Sequence, residues 1–227
     1  MQNLMKQEQF ELEVLDRLKS GRFLDPLVFG GGTMLRLCHE LNRYSVDLDF
    51  WIVRRTDEAA WFKDLKKYLS GFYTLTDGMN KRYTLLFELR SPEYPRKLKL
   101  EIRKDARSVR TEQMIAYSAH SNLQVLLTVV TLEDMMRSKI EAFLDRREIR
   151  DLFDMEFMLK KGIALAASKE DLEKLRQGIK SMTKKDYSVK LGQLLEAEER
   201  KYYNGSNFKV LISAIDKVCG AEQKGNS

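Results

Sequence analysis

The sequence predicts an α+β protein: a mixed sheet with flanking helices over residues 1–130, followed by a helical domain over residues 131–227. Three observations lead there. Strand-type alternation is confined to the first half, at residues 46–53 and 97–103. A short apolar run, Leu27-Val28-Phe29, passes through three glycines straight into helical spacing. No proline follows Pro95, and from Thr131 onward apolar residues keep a helical period.

The elements follow in order. Residues 1–20 place Leu4, Val14, Leu15 and Leu18 on one helical stripe with Phe10 at its edge, and Ser20-Gly21 stops the helix. Residues 26–30 read as a buried strand, and residues 33–41 resume a helix through Met34, Leu35, Leu37, Cys38 and Leu41. Residues 46–53 are a strand and residues 57–69 an amphipathic helix. Residues 73–75 and 83–89 flank Asp77-Gly78, which predicts a hairpin turning there. Leu123–Thr131 joins the two halves. Asn204-Gly205 predicts a turn before the last helix, the methionines are expected to fill the helical core, and residues 223–227 are expected to fray.

Composition excludes several classes. Of 227 residues, 43% are apolar and 33% charged, which describes a folded chain rather than a disordered one. The longest apolar run, Leu123–Leu132, is interrupted by Gln124 and two threonines and falls short of the roughly 18 residues that span a bilayer. The first residues lack the apolar core of a signal peptide, so a cytoplasmic protein without membrane partners is expected. Cys38 and Cys219 fit no metal spacing, and two histidines argue against a histidine-based metal site or triad. The net charge of +6 is mild, yet residues 96–110 hold seven basic and two acidic side chains. That run is either a solvated strand and loop or a contact for nucleic acid.

Four features carry chemistry. Gly30-Gly31-Gly32-Thr33 is a strand–helix junction that makes either a tight turn or a phosphate cradle, with Thr33 capping the helix and offering its hydroxyl. Asp47 and Asp49 on a period-2 strand project to one face, and two such carboxylates suit Mg²⁺. Glu101, on an alternating strand with Lys97, Lys99 and Arg103, is an ordinary strand residue or a third carboxylate. In the helical half, Lys139 falls on the buried stripe of Leu132, Met135, Met136, Ile140, Phe143 and Leu144, which requires an anionic partner or a snorkelling stem. With Arg150 and Asp151 it forms a structural ion pair or lines a site.

Together and in this order these features resemble the nucleotidyltransferase superfamily, and within it the AbiEii/AbiGii toxin family. The resemblance rests on Gly31-Gly32-Thr33, on Arg43-Tyr44-Ser45-Val46-Asp47-Leu48-Asp49-Phe50, on Glu101, and on Lys139-Ile-Glu-Ala-Phe followed by Arg150-Asp151-Leu-Phe-Asp154. It covers residues 28–159; nothing after Gly162 matches. It implies a nucleotidyltransferase-like sheet, a helical domain closing a nucleotide cleft, and transfer of a nucleoside monophosphate from a triphosphate with pyrophosphate release. It further implies Mg²⁺ (or Mn²⁺) on Asp47, Asp49 and Glu101, and nucleotide contacts from Gly31, Gly32, Thr33, Ser45, Lys139 and Asp151. The implied acceptor is tRNA or another nucleic acid, and a cognate antitoxin the implied partner. A small-molecule or protein hydroxyl as acceptor, and a non-catalytic nucleotide- or RNA-binding module, are the alternative readings.

Overall fold

The computed structural model describes residues 2–54, 57–105 and 108–224, with the side chains of Ser206 and of residues 221–224 left aside. The chain divides into two compact units, Met1–Thr131 and Leu132–Ser227.

In the first unit, α1 (Gln2–Ser20) buries Leu4, Phe10, Leu12, Val14, Leu15 and Leu18. Strand β1 (Leu27–Gly30) leads directly into α2 (Gly31–His39), which ends on Glu40 in the left-handed region. Then come β2 (Asp47–Ile52) and α3 (Glu58–Ser70), whose N-cap Asp57 accepts from the amides of Ala59 and Ala60 at 3.1 Å. Five further strands follow: β3 (Thr74–Asn80), β4 (Thr84–Arg90), β5 (Leu98–Arg103), β6 (Thr111–Ala116) and β7 (Val125–Val130).

All seven strands form one sheet in the order β3-β4-β5-β2-β1-β7-β6. The β2–β5 and β1–β7 pairs are parallel and the other four antiparallel, so the sheet is mixed, as expected. Burial of Leu48 and Phe50 on β2, and of Leu98, Leu100 and Ile102 on β5, follows the period-2 pattern of the sequence.

Two expectations for this unit need correction. Asp77-Gly78 is not the hairpin turn: both lie inside β3, and the chain reverses at Lys81–Tyr83, where the Lys81 amide donates to the Thr84 carbonyl at 2.9 Å. The Asp77 side chain accepts from the Gly78 amide beside a register shift between Leu75 and Asp77, so turn-forming residues here make an irregularity on an edge strand. The stretch taken as the inter-domain join is the interior strand β7. Strand β6, largely exposed at a sheet edge, carries no alternation to announce it.

The second unit is helical: α4 (Leu132–Arg146), α5 (Ile149–Lys160), α6 (Lys169–Lys180), a short π-helical turn at Asp186–Leu191, α7 (Ala197–Ser206) and α8 (Lys209–Lys224). Asn204 and Gly205 sit within α7; the chain breaks instead at Asn207 and Phe208, both at positive φ. Helix α8 continues to Lys224, and the rest of the expected frayed tail lies outside the described residues. Met135, Met136, Met155 and Met158 are core residues here, whereas Met79 in the first unit is exposed.

Buried Glu156 links two helices of this unit. It accepts from the Tyr203 hydroxyl at 3.0 Å and from the Leu211 amide at 3.1 Å, satisfying a donor in the first turn of α8.

Candidate active site

Strand register assembles the acidic face. Strand β2 pairs with β5 so that Asp47 lies opposite Lys99 and Asp49 opposite Glu101. Alternation puts all four on one side of the sheet, while Leu48, Leu100 and Ile102 hold the other side in the core. Three carboxylates and one ammonium thus form a two-by-two lattice on adjacent rigid strands. Lys99 Nζ lies 3.0 Å from Glu101 Oε2. Burial pulls the lysine pKa down, but the hydrogen bond to Glu101 and the charges of Glu101, Asp47 and Asp49 outweigh it and raise the value. Lys99 was legible only as a strand residue; its place among the acids comes from the register.

The glycine junction closes against this face. Gly31 has φ +74°, and a Cβ there would stand 2.2 Å from Asp49 Oδ2, so the Asp49 carboxylate lies directly on the Gly31 backbone. A Cβ on Gly32 would meet the Arg43 guanidinium at 2.6 Å and Ser45 Oγ at 2.8 Å. Gly31 is therefore favoured by its backbone conformation and by the close approach of Asp49, and Gly32 by the close approach of Arg43 and Ser45. Arg43, nearly fully buried, donates to the Tyr44 carbonyl at 2.9 Å and braces the turn. Its place in the motif was visible, but not its burial over Gly32.

Thr33 does not cap α2. The cap position is Gly30, without a side-chain hydrogen bond, and the buried Thr33 hydroxyl donates to the Asp47 carbonyl at 2.5 Å. Thr33 thereby ties the start of α2 to the first residue of β2. Gln7 of α1 makes longer contacts, 3.4 Å each, to the carbonyls of Val46 and Lys97, just ahead of the two acid-bearing strands.

The donor chemistry fits a hard divalent cation: Asp47 and Asp49 offer carboxylate oxygens from one face, with Glu101 the register neighbour of Asp49. Those carboxylates are not drawn together. Among the described residues no three His, Cys, Asp or Glu side chains stand close enough to hold a metal ion, and Glu101 is engaged by Lys99.

Behind this face α1 buries three polar side chains. Glu8 accepts from Arg36 and Ser118, each at 2.6 Å. Glu11 is fully buried and neither carboxyl oxygen has a hydrogen-bond partner. Burial, then the negative charges of Glu8 and Asp47, push its pKa well above the usual 4.5, with Arg36 and Arg96 opposing. The folded state therefore retains a proton that the unfolded chain releases, and stability falls as pH rises from about 4.5 toward the folded value. We expect Glu11→Gln to flatten that fall. In urea titrations the variant should gain on the wild type as pH rises toward 8, because Gln has no proton to release. At pH 4 the advantage should shrink. An equal effect at both pH values would contradict this protonation state.

Lys139 and Asp151 come together in the second unit. Lys139 Nζ lies 3.1 Å from Asp151 Oδ1 and 2.6 Å from Asp154 Oδ2, with both aspartates fully buried. Arg146 adds a bidentate contact to Asp151 at 2.9 and 2.8 Å. These pairs hold α4 to α5, a geometry that accords with either reading the sequence allowed. Arg150, expected in the pair, is replaced by Arg146.

The basic run is not a continuous cationic stripe. Lys97 pairs with Glu88 at 2.5 Å, Lys99 with Glu101, and Lys104 with Glu58 at 3.1 Å; Arg107 lies outside the described residues. Arg96, Arg103 and Arg110 are exposed. Arg103, two residues beyond Glu101 on the same face, lies opposite Thr84, and the adjoining turn presents Lys81, Arg82 and Tyr83. Tyr83 is 64% exposed, with the Arg82 guanidinium 5.0 Å from its ring centroid. Alternation did not point to this turn because the hairpin was expected to reverse at Asp77-Gly78.

A mixed sheet that runs through a glycine turn into a helix and sets two aspartates on the next strand is the architecture of a nucleotidyltransferase. Solved structures share it. The chain is similar to JHP933 from Helicobacter pylori (21% identity, 96% of this chain and 98% of that one, TM-score 0.56). It is similar to a putative nucleotidyltransferase from H. pylori (22%, 92% and 97%, TM-score 0.56). It also resembles MenT4, a nucleotidyltransferase toxin from Mycobacterium tuberculosis (15%, 96% and 92%, TM-score 0.52). At these identities the likeness speaks for the fold. No curated protein matches the chain. The family model "Nucleotidyl transferase AbiEii toxin, Type IV TA system" matches residues 13–204. The chain belongs to that family of nucleotidyltransferase toxins, which suggests a cognate antitoxin. No described helix is long and apolar enough to cross a membrane.

Proposed function

We propose that the protein is a divalent-metal-dependent transferase that moves a nucleoside monophosphate from a triphosphate to a nucleic-acid hydroxyl, tRNA being the favoured acceptor. The carrying observation is the lattice of Asp47, Asp49 and Glu101 set against the Gly31 turn. In the reaction the acceptor oxygen bonds to the α-phosphorus, the bond from that phosphorus to the bridging oxygen breaks, and pyrophosphate leaves. Such a displacement needs alignment and charge neutralisation more than covalent help. Bound Mg²⁺ or Mn²⁺ would supply charge neutralisation at the phosphoryl oxygens and a more acidic acceptor hydroxyl. Asp47 and Asp49 would hold the cation, and Glu101 would complete the set and take the proton of the attacking hydroxyl. Amides of Gly31 and Gly32, at the start of α2, would receive the β- and γ-phosphates, with Ser45 alongside.

The basic–aromatic turn favours nucleic acid over a small acceptor. An exposed tyrosine beside arginines offers base stacking and phosphate contacts together. Binding of tRNA should weaken steeply between roughly 50 and 200 mM salt, and Arg82→Ala or Arg103→Ala should each lower the slope of log K against log salt by about one. Tyr83→Ala should weaken binding by about 1–3 kcal/mol with the slope unchanged. Binding indifferent to salt in fluorescence anisotropy would contradict a phosphate-backbone acceptor.

A further inference from the structure

Lys99 stands inside the carboxylate lattice rather than at its rim. It faces Asp47 across the strand pair and contacts Glu101 two residues along its own strand, while Glu101 faces Asp49. Every carboxylate assigned to metal holding is therefore a lattice neighbour of this ammonium or of its partner. On the other side of β5, Glu88 of β4 lies opposite Lys99 but is held by Lys97 at 2.5 Å. Lys99 keeps about 40% of its side chain exposed, so its flexible stem is free to re-aim.

A divalent cation entering alone must compete with Lys99 for the Glu101 oxygens and sit beside an uncompensated ammonium. A cation arriving with a triphosphate brings a second anion that Lys99 can turn to. We propose that Lys99 is an internal counter-ion that holds Glu101 until a metal–triphosphate complex arrives, then passes to the triphosphate, so that metal and nucleotide are captured together. This rests on the reading of Asp47, Asp49 and Glu101 as the metal-holding face. Lys99 acts on the metal through Glu101, as a positioning residue, and on the nucleotide directly.

The test is a split that a purely structural role would not produce. Mn²⁺ is titrated by electron paramagnetic resonance into the full-length protein, without nucleotide and then with a non-hydrolysable nucleoside triphosphate. Lys99→Met should bind Mn²⁺ alone about tenfold more tightly than wild type, because a like charge beside the divalent ion is removed. The same variant should bind Mn²⁺–triphosphate more weakly, so the coupling between the two ligands collapses. Lys99→Arg should keep the wild-type pattern. Circular dichroism confirms that each variant is folded. Unchanged Mn²⁺ affinity in Lys99→Met, or loss of both affinities in that variant when folded, overturns the proposal while leaving the metal face intact. Absence of Mn²⁺ binding by wild type, with and without triphosphate, overturns the metal face and the proposal together.

Discussion

Asp49→Ala is expected to abolish nucleotidyl transfer, by on the order of a thousandfold in kcat, while the protein stays folded and as stable as wild type. The two halves of that expectation have one structural cause. Asp49 is only half-buried, projects from the middle of β2, and lies beside two other carboxylates and on the Gly31 backbone. Truncation of this half-buried side chain leaves no cavity in the core, so thermal unfolding should shift by no more than a few degrees. It also removes one of two oxygen donors that the site sets on a single strand. Transfer assays paired with calorimetry check this. A variant that unfolds would make Asp49 structural, and one that transfers normally would remove it from the site.

The second large effect lies in the helical unit and is one of stability. Lys139→Met should cost roughly 3–5 kcal/mol in urea unfolding, because it strips the ammonium from two fully buried aspartates. Asp151 keeps its bidentate Arg146, while both aspartates lose the lysine that approaches them at 3.1 and 2.6 Å. Replacing both partners, as Lys139→Met with Asp154→Leu, should recover much of the loss, since a packed apolar pair removes the desolvation that the charges required. Lys97→Met, which breaks a half-exposed bridge, should change stability by less than about 1 kcal/mol. A Lys139→Met protein as stable as wild type but deficient in nucleotide binding would return Lys139 to the triphosphate role that the family resemblance implied.

What was legible in the sequence was whatever one period or one motif could carry. Alternation at residues 46–53 and 97–103 located both acid-bearing strands and the face of each acid, because one side of each strand is core. Helical spacing located α1, α2, α3 and α4. Pairing was not legible. That Asp47 meets Lys99 and Asp49 meets Glu101 is set by a parallel register between segments fifty residues apart, which neither segment encodes alone. The same limit hid Arg43 over Gly32 and the Thr33 hydroxyl on the Asp47 carbonyl. The turn at Lys81–Tyr83 was missed because Asp77-Gly78 offers stronger turn chemistry than the residues that reverse the chain. The apolar stripe of residues 1–20 gives no sign of Glu11, whereas α1 buries Gln7, Glu8 and Glu11 together. The buried charges of α4 and α5 were visible as an anomaly on an apolar stripe, and the fold resolves them by pairing.

The measurement that tests the central claim most directly is transfer from each of four α-labelled nucleoside triphosphates, with Mg²⁺, to total tRNA and to cell protein, by wild type and Asp49→Ala side by side. Label in tRNA from at least one nucleotide, with pyrophosphate released in equal amount and no label from the variant, is the predicted result. Label confined to protein would move the acceptor to a side-chain hydroxyl. Label in neither, from a wild-type protein that also fails to bind the Mg²⁺–triphosphate, would contradict the transferase site on β2 and β5.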